Sequence, residues 1–216
     1  MVKHILTTNC PRSCSYCIMR NVKVQQADKD QLHTLPALYS RLSKEHDSIM
    51  LTGGEPTSAA FAHLYFVMAT KTFKKTFITT QNDFLLEWDK TKLYFDAVTF
   101  SWHDLKIWRY PVTNGATVYC SIMSHLYSDW LVDTLIKFGY AGLTINENYF
   151  GTDVFDETRL PQIDGFSIKI NRRGKCINDG TVFILPDLTV TKDIVGRISC
   201  LASQSKRANS TKGESR

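Results

Sequence analysis

The 216 residues are 43% hydrophobic and 22% charged, with a formal net charge of +5; this is enough apolar material for one substantial core and too much for a disordered chain. The longest apolar stretches, such as FAHLYFVMAT, are interrupted well short of a membrane span, and MVKHILTT lacks the long apolar region of a signal peptide. The expected location is therefore the cytoplasm, with no membrane partner and with thiols kept reduced.

In chain order, KHILTT reads as a strand entering a cysteine-bearing loop. TLPALYSRLSKEH reads as a helix, with Thr34 as N-cap, Pro36 in its first turn and Leu35, Leu38, Tyr39 and Leu42 at helical spacing. SIMLTGG is a strand running into glycines, followed by a helix from about Thr57 to Thr70 and a strand at KTFITTQN. A short helix is expected near FLLEWDKT, strands at DAVTFSWH and TVYCSIMSH, a helix at SDWLVDTLIKFGY and a strand at AGLTINE. This alternation predicts an α/β fold with a parallel sheet. A complete eight-unit barrel takes roughly 250 residues, so the expectation is a partial (β/α)6 TIM-type barrel over 1–163. Ligands of such folds sit at the carboxyl ends of the strands.

From about Asp164 the sequence becomes rich in β-branched residues and turn signals, Asn178-Asp179-Gly180 and Pro186-Asp187 among them. It reads as a short β-hairpin appendage over 164–201. The end, 202–216, carries Lys206, Arg207, Lys212 and Arg216 against Glu214 and nothing large and apolar beyond that. It is expected to be a solvated, disordered tail, and no nucleic-acid partner is expected.

Cys10, Cys14 and Cys17 fall within eight positions of a chain that has six cysteines. Three thiolates suit three corners of a four-iron cubane and leave the fourth iron without a protein ligand. A structural zinc site completed by His4 or by a distant cysteine is the competing reading, and a plain electron-transfer cluster would want a fourth cysteine nearby. Gly53 stands 36 positions after Cys17 and opens GGEP at the end of the next predicted strand.

These two motifs, Cys10, Cys14, Tyr16 and Cys17 followed by Gly53, Gly54, Glu55 and Pro56, resemble the radical S-adenosylmethionine (SAM) superfamily. The resemblance implies a [4Fe-4S] cluster on Cys10, Cys14 and Cys17 and SAM chelated to the open iron. It also implies reductive cleavage to a 5′-deoxyadenosyl radical that abstracts hydrogen from a substrate. Gly53 and Gly54 would allow close backbone approach and leave carbonyl and amide groups free, Glu55 would face the SAM ammonium, and Pro56 would start the turn. Tyr16, Gln81, Asn82 and Ser101 are further expected cofactor contacts, and a one-electron donor such as flavodoxin or ferredoxin is an implied partner.

His103, Ser121, Ser124, Asn146 and Asn148 are weaker candidates at strand ends, and Trp102, Trp108 and Tyr110 are aromatic residues able to line an opening. The segment KCINDGTVFILPDLTVTKDIVGRI resembles a reduced SPASM or twitch extension, although Leu188 and Thr189 stand where a glycine and following residues are expected. With only Cys176 and Cys200 there, no second cluster is expected, and Cys120, Cys176 and Cys200 are read as buried or free thiols. The extension favours a peptide or protein side chain as substrate. A nucleotide or other small metabolite, a glycyl-radical activase and a non-catalytic cluster or SAM-binding protein are the alternatives.

Overall fold

The computed structural model of the chain describes residues 1–12, 14, 17, 24–82, 85, 90–103, 111, 113, 115–148, 152, 154–172 and 181–192. Its strands are β1 (Val2–Ile5), β2 (Ser48–Thr52), β3 (Lys75–Thr80), β4 (Ala97–Ser101), β5 (Thr117–Met123), β6 (Gly142–Asn146), β7 (Ser167–Asn171), β8 (Val182–Ile184) and β9 (Val190–Thr191). Its α-helices are α1 (Leu35–Leu42), α2 (Ala62–Thr72), α3 (Thr91–Tyr94) and α4 (Asp129–Lys137). The chain divides into two compact units, Met1–Lys74 with Ile177–Arg216, and Lys75–Cys176. Among the described residues, no helix is long and apolar enough to cross a membrane.

In the first unit β1 pairs in parallel with β2 on one side, Val2 opposite Ile49, and with β8 on the other, Val2 opposite Val182. β9 returns antiparallel to β8. The helix α1 buries Leu35, Tyr39 and Leu42, one stripe of its amphipathic surface, and α2 buries Tyr65, Phe66 and Ala69. These meet a strand core of Val2, Ile49 and Leu51, all fully buried. His4 lies in the same core, edge-on to the Tyr39 and Tyr65 rings, with its Nδ1 2.6 Å from the Tyr39 hydroxyl. Burial without a counter-charge lowers its pKa to about 3, so the imidazole is neutral.

The second unit is a parallel run in the order β3, β4, β5, β6, β7. Val98, Cys120 and Ile145 are fully buried in it, and α4 covers the sheet with Leu131, Val132 and Leu135. Cys120 is a free thiol, as expected, and burial pushes its pKa well up.

Three local expectations are corrected. Thr34 does not cap α1: its backbone is already helical and its hydroxyl donates to the Gln31 carbonyl at 2.7 Å, closing a 3-10 turn that leads into the helix. The second helix starts at Ala62 rather than Thr57, because Glu55 holds Thr57 and Ser58 in a separate 3-10 turn, Pro56–Ser58. The β-rich segment after Asp164 contributes β7 in parallel beside β6 and β8 in parallel beside β1, while its hairpin is β8 with β9. Ile168 and Ile170 of β7 pair in register with Leu143 and Ile145, which gives that strand a place in the sheet. The second turn signal, Pro186-Asp187, is where the hairpin turns, with the Leu188 amide donating to the Leu185 carbonyl. Asn178-Asp179-Gly180, Cys176, Cys200, Tyr16, Trp108, Tyr110, most of the helix expected near FLLEWDKT and the tail lie outside the described residues.

Candidate cofactor site

In the first unit the ends of β1 and β2 continue side by side past the sheet. The Leu6 amide donates to Thr52 O at 2.9 Å, the Gly54 amide to Thr7 O at 2.8 Å and the Glu55 amide to Asn9 O at 2.9 Å. This laces the GGEP segment to the residues that run directly into Cys10. A side chain at Gly54 would put its Cβ 2.1 Å from Asn9 O, and at Gly53, where φ is +138°, 2.4 Å from Thr7 O. The glycines are therefore required by the approach of the two loops to each other. The expectation that their amides stand free is corrected for Gly54, whose amide serves the β1 extension.

Glu55 is 4% exposed. Its Oε1 accepts from the Thr57 amide at 3.1 Å and the Thr57 hydroxyl at 2.8 Å, capping the turn that Pro56 opens. A buried carboxylate is thus held in one orientation beside the cysteine loop by its own turn. On the β1 side Thr7 is fully buried and accepts the Asn9 amide at 3.0 Å, and Thr8 accepts the Val24 amide at 3.3 Å, which closes the base of the cysteine loop.

Cys10, Cys14 and Cys17 are half-buried thiols outside any disulfide. Cys10 Sγ accepts the Arg12 amide at 3.5 Å, and the Cys17 amide donates to Cys14 O at 3.2 Å. Among the described residues no three His, Cys, Asp or Glu side chains converge as a metal site. The donor chemistry nonetheless fits an iron-sulfur group: three reachable thiols on one loop, with a backbone amide directed at a sulfur. It fits zinc less well, because the histidine nearest in sequence, His4, is committed to the core with Tyr39.

In the second unit polar residues stand at the ends of several strands. Asn82 donates its amide to Thr80 Oγ1 at 3.0 Å just past β3, and Gln81 beside it is half-buried. Ser101 ends β4, and the next residue, Trp102, is buried, donates its amide to Ser121 O at 2.8 Å and stacks edge-on against Phe100 at 4.9 Å. Trp102 is thus a packing residue, while His103, the next, is half-buried. Ser121, Asn146 and Asn171 form a hydrogen-bonded row across β5, β6 and β7. Asn146 Nδ2 donates to Ser121 Oγ at 2.8 Å, and Asn171 Nδ2 donates to Asn146 Oδ1 at 2.7 Å. Ser124 begins the 3-10 turn Ser124–Leu126, and Asn148 is half-buried beyond β6.

One residue beyond that row lies a charged group that sequence reasoning missed. The Glu147 side chain is 2% exposed; its Oε1 accepts from Arg172 Nη1 at 2.5 Å and from the Phe155 amide at 3.0 Å. Arg172 also donates to Phe155 O at 2.7 Å and pairs with Glu157. These carboxylate bonds hold the guanidinium pKa above its usual value. The available signal was positional: an acid and an arginine each directly following adjacent parallel strands.

No protein family and no curated protein matches the sequence. Among solved structures the chain is similar to Streptococcus suis SuiB bound to S-adenosylmethionine, with a TM-score of 0.62 at 12% identity over 89% of this chain and 60% of that one. It is likewise similar to SuiB bound to the precursor peptide SuiA, with a TM-score of 0.59 at 12% identity over 89% and 59% of the two chains. The chain spans about three fifths of SuiB. At this identity the likeness shows the fold, an α/β fold of the partial-barrel kind expected from the strand-helix alternation.

Proposed function

We propose that this protein is a radical SAM enzyme that holds a [4Fe-4S] cluster on Cys10, Cys14 and Cys17, binds SAM beside it and acts on a peptide or protein side chain. The observation that carries this reading is the lacing of the two motifs. Three cysteine thiols outside any disulfide follow β1, the buried Glu55 carboxylate follows β2, and the Gly54 and Glu55 amides tie the two loops through Thr7 and Asn9. When bound, the cluster and SAM supply hydrogen-atom abstraction from an unactivated carbon through one-electron cleavage of the sulfonium.

The chain's own work is orientation. Glu55 would offer its carboxylate to the SAM ammonium, while its turn, opened by Pro56, holds the side chain in one orientation. Gly53 and Gly54 keep that charge close to the cysteine loop. Tyr16, Gln81, Asn82 and Ser101 are assigned to SAM on their positions after Cys14 and after β3 and β4. A one-electron donor such as flavodoxin or ferredoxin would supply the reducing electron.

The peptide substrate is supported by the fold likeness to SuiB, solved with a precursor peptide, and by the β8–β9 hairpin, which resembles a reduced SPASM or twitch extension. The test is 5′-deoxyadenosine formation by anaerobically reconstituted protein given SAM and dithionite, with and without candidate peptides. Nucleoside formation that rises with a peptide supports the reading. An intact, reduced cluster that never yields nucleoside with any peptide or nucleotide would favour a cluster-binding protein without catalysis.

A further inference from the structure

We propose that Lys169 selects a peptide substrate bearing a carboxylate side chain, binding that carboxylate at the far end of a cross-strand row of hydroxyls that begins at Ser101. This rests on the reading above that the substrate is a peptide and that Ser101 faces SAM; the charge preference itself is independent of the cluster.

The row follows from register. Along β4 to β7, Ser101 pairs with Ser121, Ser121 with Thr144 and Thr144 with Lys169. Residues in register share one face of a sheet, and the alternate residues take the other. That other face carries Phe100, Cys120, Leu143 and Ile145, all buried. On the face of the row Ser101, Ser121 and Thr144 are half-buried and Lys169 is exposed. A line of hydroxyls ending in a cation makes a poor apolar packing surface and suits a polar, anionic ligand.

Lys169 has no counter-charge of its own. Its register neighbour is Thr144, and the residues two positions to either side on β7 are Ser167 and Asn171. Glu147 and Glu157, the acids joined to the end of β7, are both engaged by Arg172. Lys169 makes no ion pair with a described residue. The strand that carries it is fixed just beyond: Asn171 Nδ2 donates to Asn146 Oδ1 at 2.7 Å, and the Arg172–Glu147 pair follows. A charge on a rigid strand is a better selector than one on a loop. A lysine on the strand that ends the run β3 to β7 also discourages edge pairing, but that role is indifferent to the charge of a ligand.

The row also sets a spacing. Neighbouring strands lie about 4.8 Å apart, so Ser101 to Lys169 is roughly 14 Å along the sheet. An extended peptide covers that in about four residues. The carboxylate is therefore expected within about four positions of the residue that reacts.

The test is ligand-observed saturation-transfer NMR of the full chain, without cofactor, with the acetylated and amidated peptide Ala-Ser-Glu-Ser-Ala and its counterparts with Gln or Lys in place of Glu. The Glu peptide should bind with a Kd on the order of 1 mM, roughly tenfold more tightly than the Gln peptide. Lys169→Gln should remove that preference, Lys169→Glu should favour the Lys peptide and Lys169→Arg should keep the Glu preference, all with the parent's Tm. Lys137→Gln, which deletes the same charge from α4, should leave the preference unchanged. Equal binding of the Glu and Gln peptides by the parent, or a Glu preference that survives Lys169→Glu, would overturn the proposal. So would a preference lost equally in Lys137→Gln, which would report net charge alone. Adenosine monophosphate binding more tightly than the Glu peptide, and released by Lys169→Gln, would overturn the choice of a peptide in favour of a nucleotide. Because the assay needs no cluster, its failure leaves the radical SAM assignment standing, and a failed reconstitution leaves the charge preference untouched.

Discussion

His4 binds a proton in the unfolded chain near pH 6.5 but in the folded core only near pH 3, since burial disfavours the imidazolium. A histidine with a depressed folded pKa gives its full stability above the unfolded value and loses it as pH falls toward the folded one. Between pH 7 and pH 5 the loss should be about 2 kcal/mol. His4→Gln, which keeps a partner for Tyr39 but does not titrate there, should flatten that slope in urea denaturation at the two pH values; identical slopes would contradict the assignment. Glu55 allows a similar separation of roles. Glu55→Gln preserves the acceptor that caps Thr57 and should change folding stability by less than about 1 kcal/mol, while Glu55→Ala loses the cap and costs about 1 kcal/mol. Both should weaken SAM binding by removing the charge, which isothermal titration of the reconstituted protein would read.

At the scale of elements, the lacing of β1 to β2 and the clamp between β6 and β7 are the two places where local geometry is tightly specified. Gly54→Ala would drive a methyl into Asn9 O and must move backbone to fit. A loss of about 2–4 kcal/mol is expected, and wild-type stability would mean that the loops are not bound as described. Arg172→Met leaves the buried Glu147 carboxylate without its cation and should lower the urea midpoint. Adding Glu147→Gln should restore part of that loss, and strict additivity in the double-mutant cycle would contradict a direct pair. The strands and α4 were legible because their apolar periodicity is undiluted: Leu131, Val132 and Leu135 sit where the pattern puts them. The start of α2 was not, because side-chain bonds from Thr57 and Ser58 to Glu55 set it rather than propensity. β7 was hidden for a related reason. Its Ser167–Asn171 alternation resembles any half-exposed hairpin strand, and nothing local says that its partner is β6.

Across the whole molecule, the residue types and order of the cysteine and GGEP motifs pointed to a candidate site from sequence alone. The structure adds the Thr7, Asn9, Gly54 and Glu55 hydrogen bonds that hold the two distant stretches together within a single unit. Glu147 with Arg172 emerged only from three-dimensional pairing, as single residues without a motif. The measurement that bears most directly on the central claim is the electron paramagnetic resonance spectrum of the anaerobically reconstituted, dithionite-reduced protein, recorded with and without SAM for the parent and for Cys14→Ala. The account predicts about four irons per chain, a reduced-cluster signal that SAM shifts in the parent, and loss of that signal in Cys14→Ala. A full cluster in Cys14→Ala, or a parent spectrum indifferent to SAM, would contradict it.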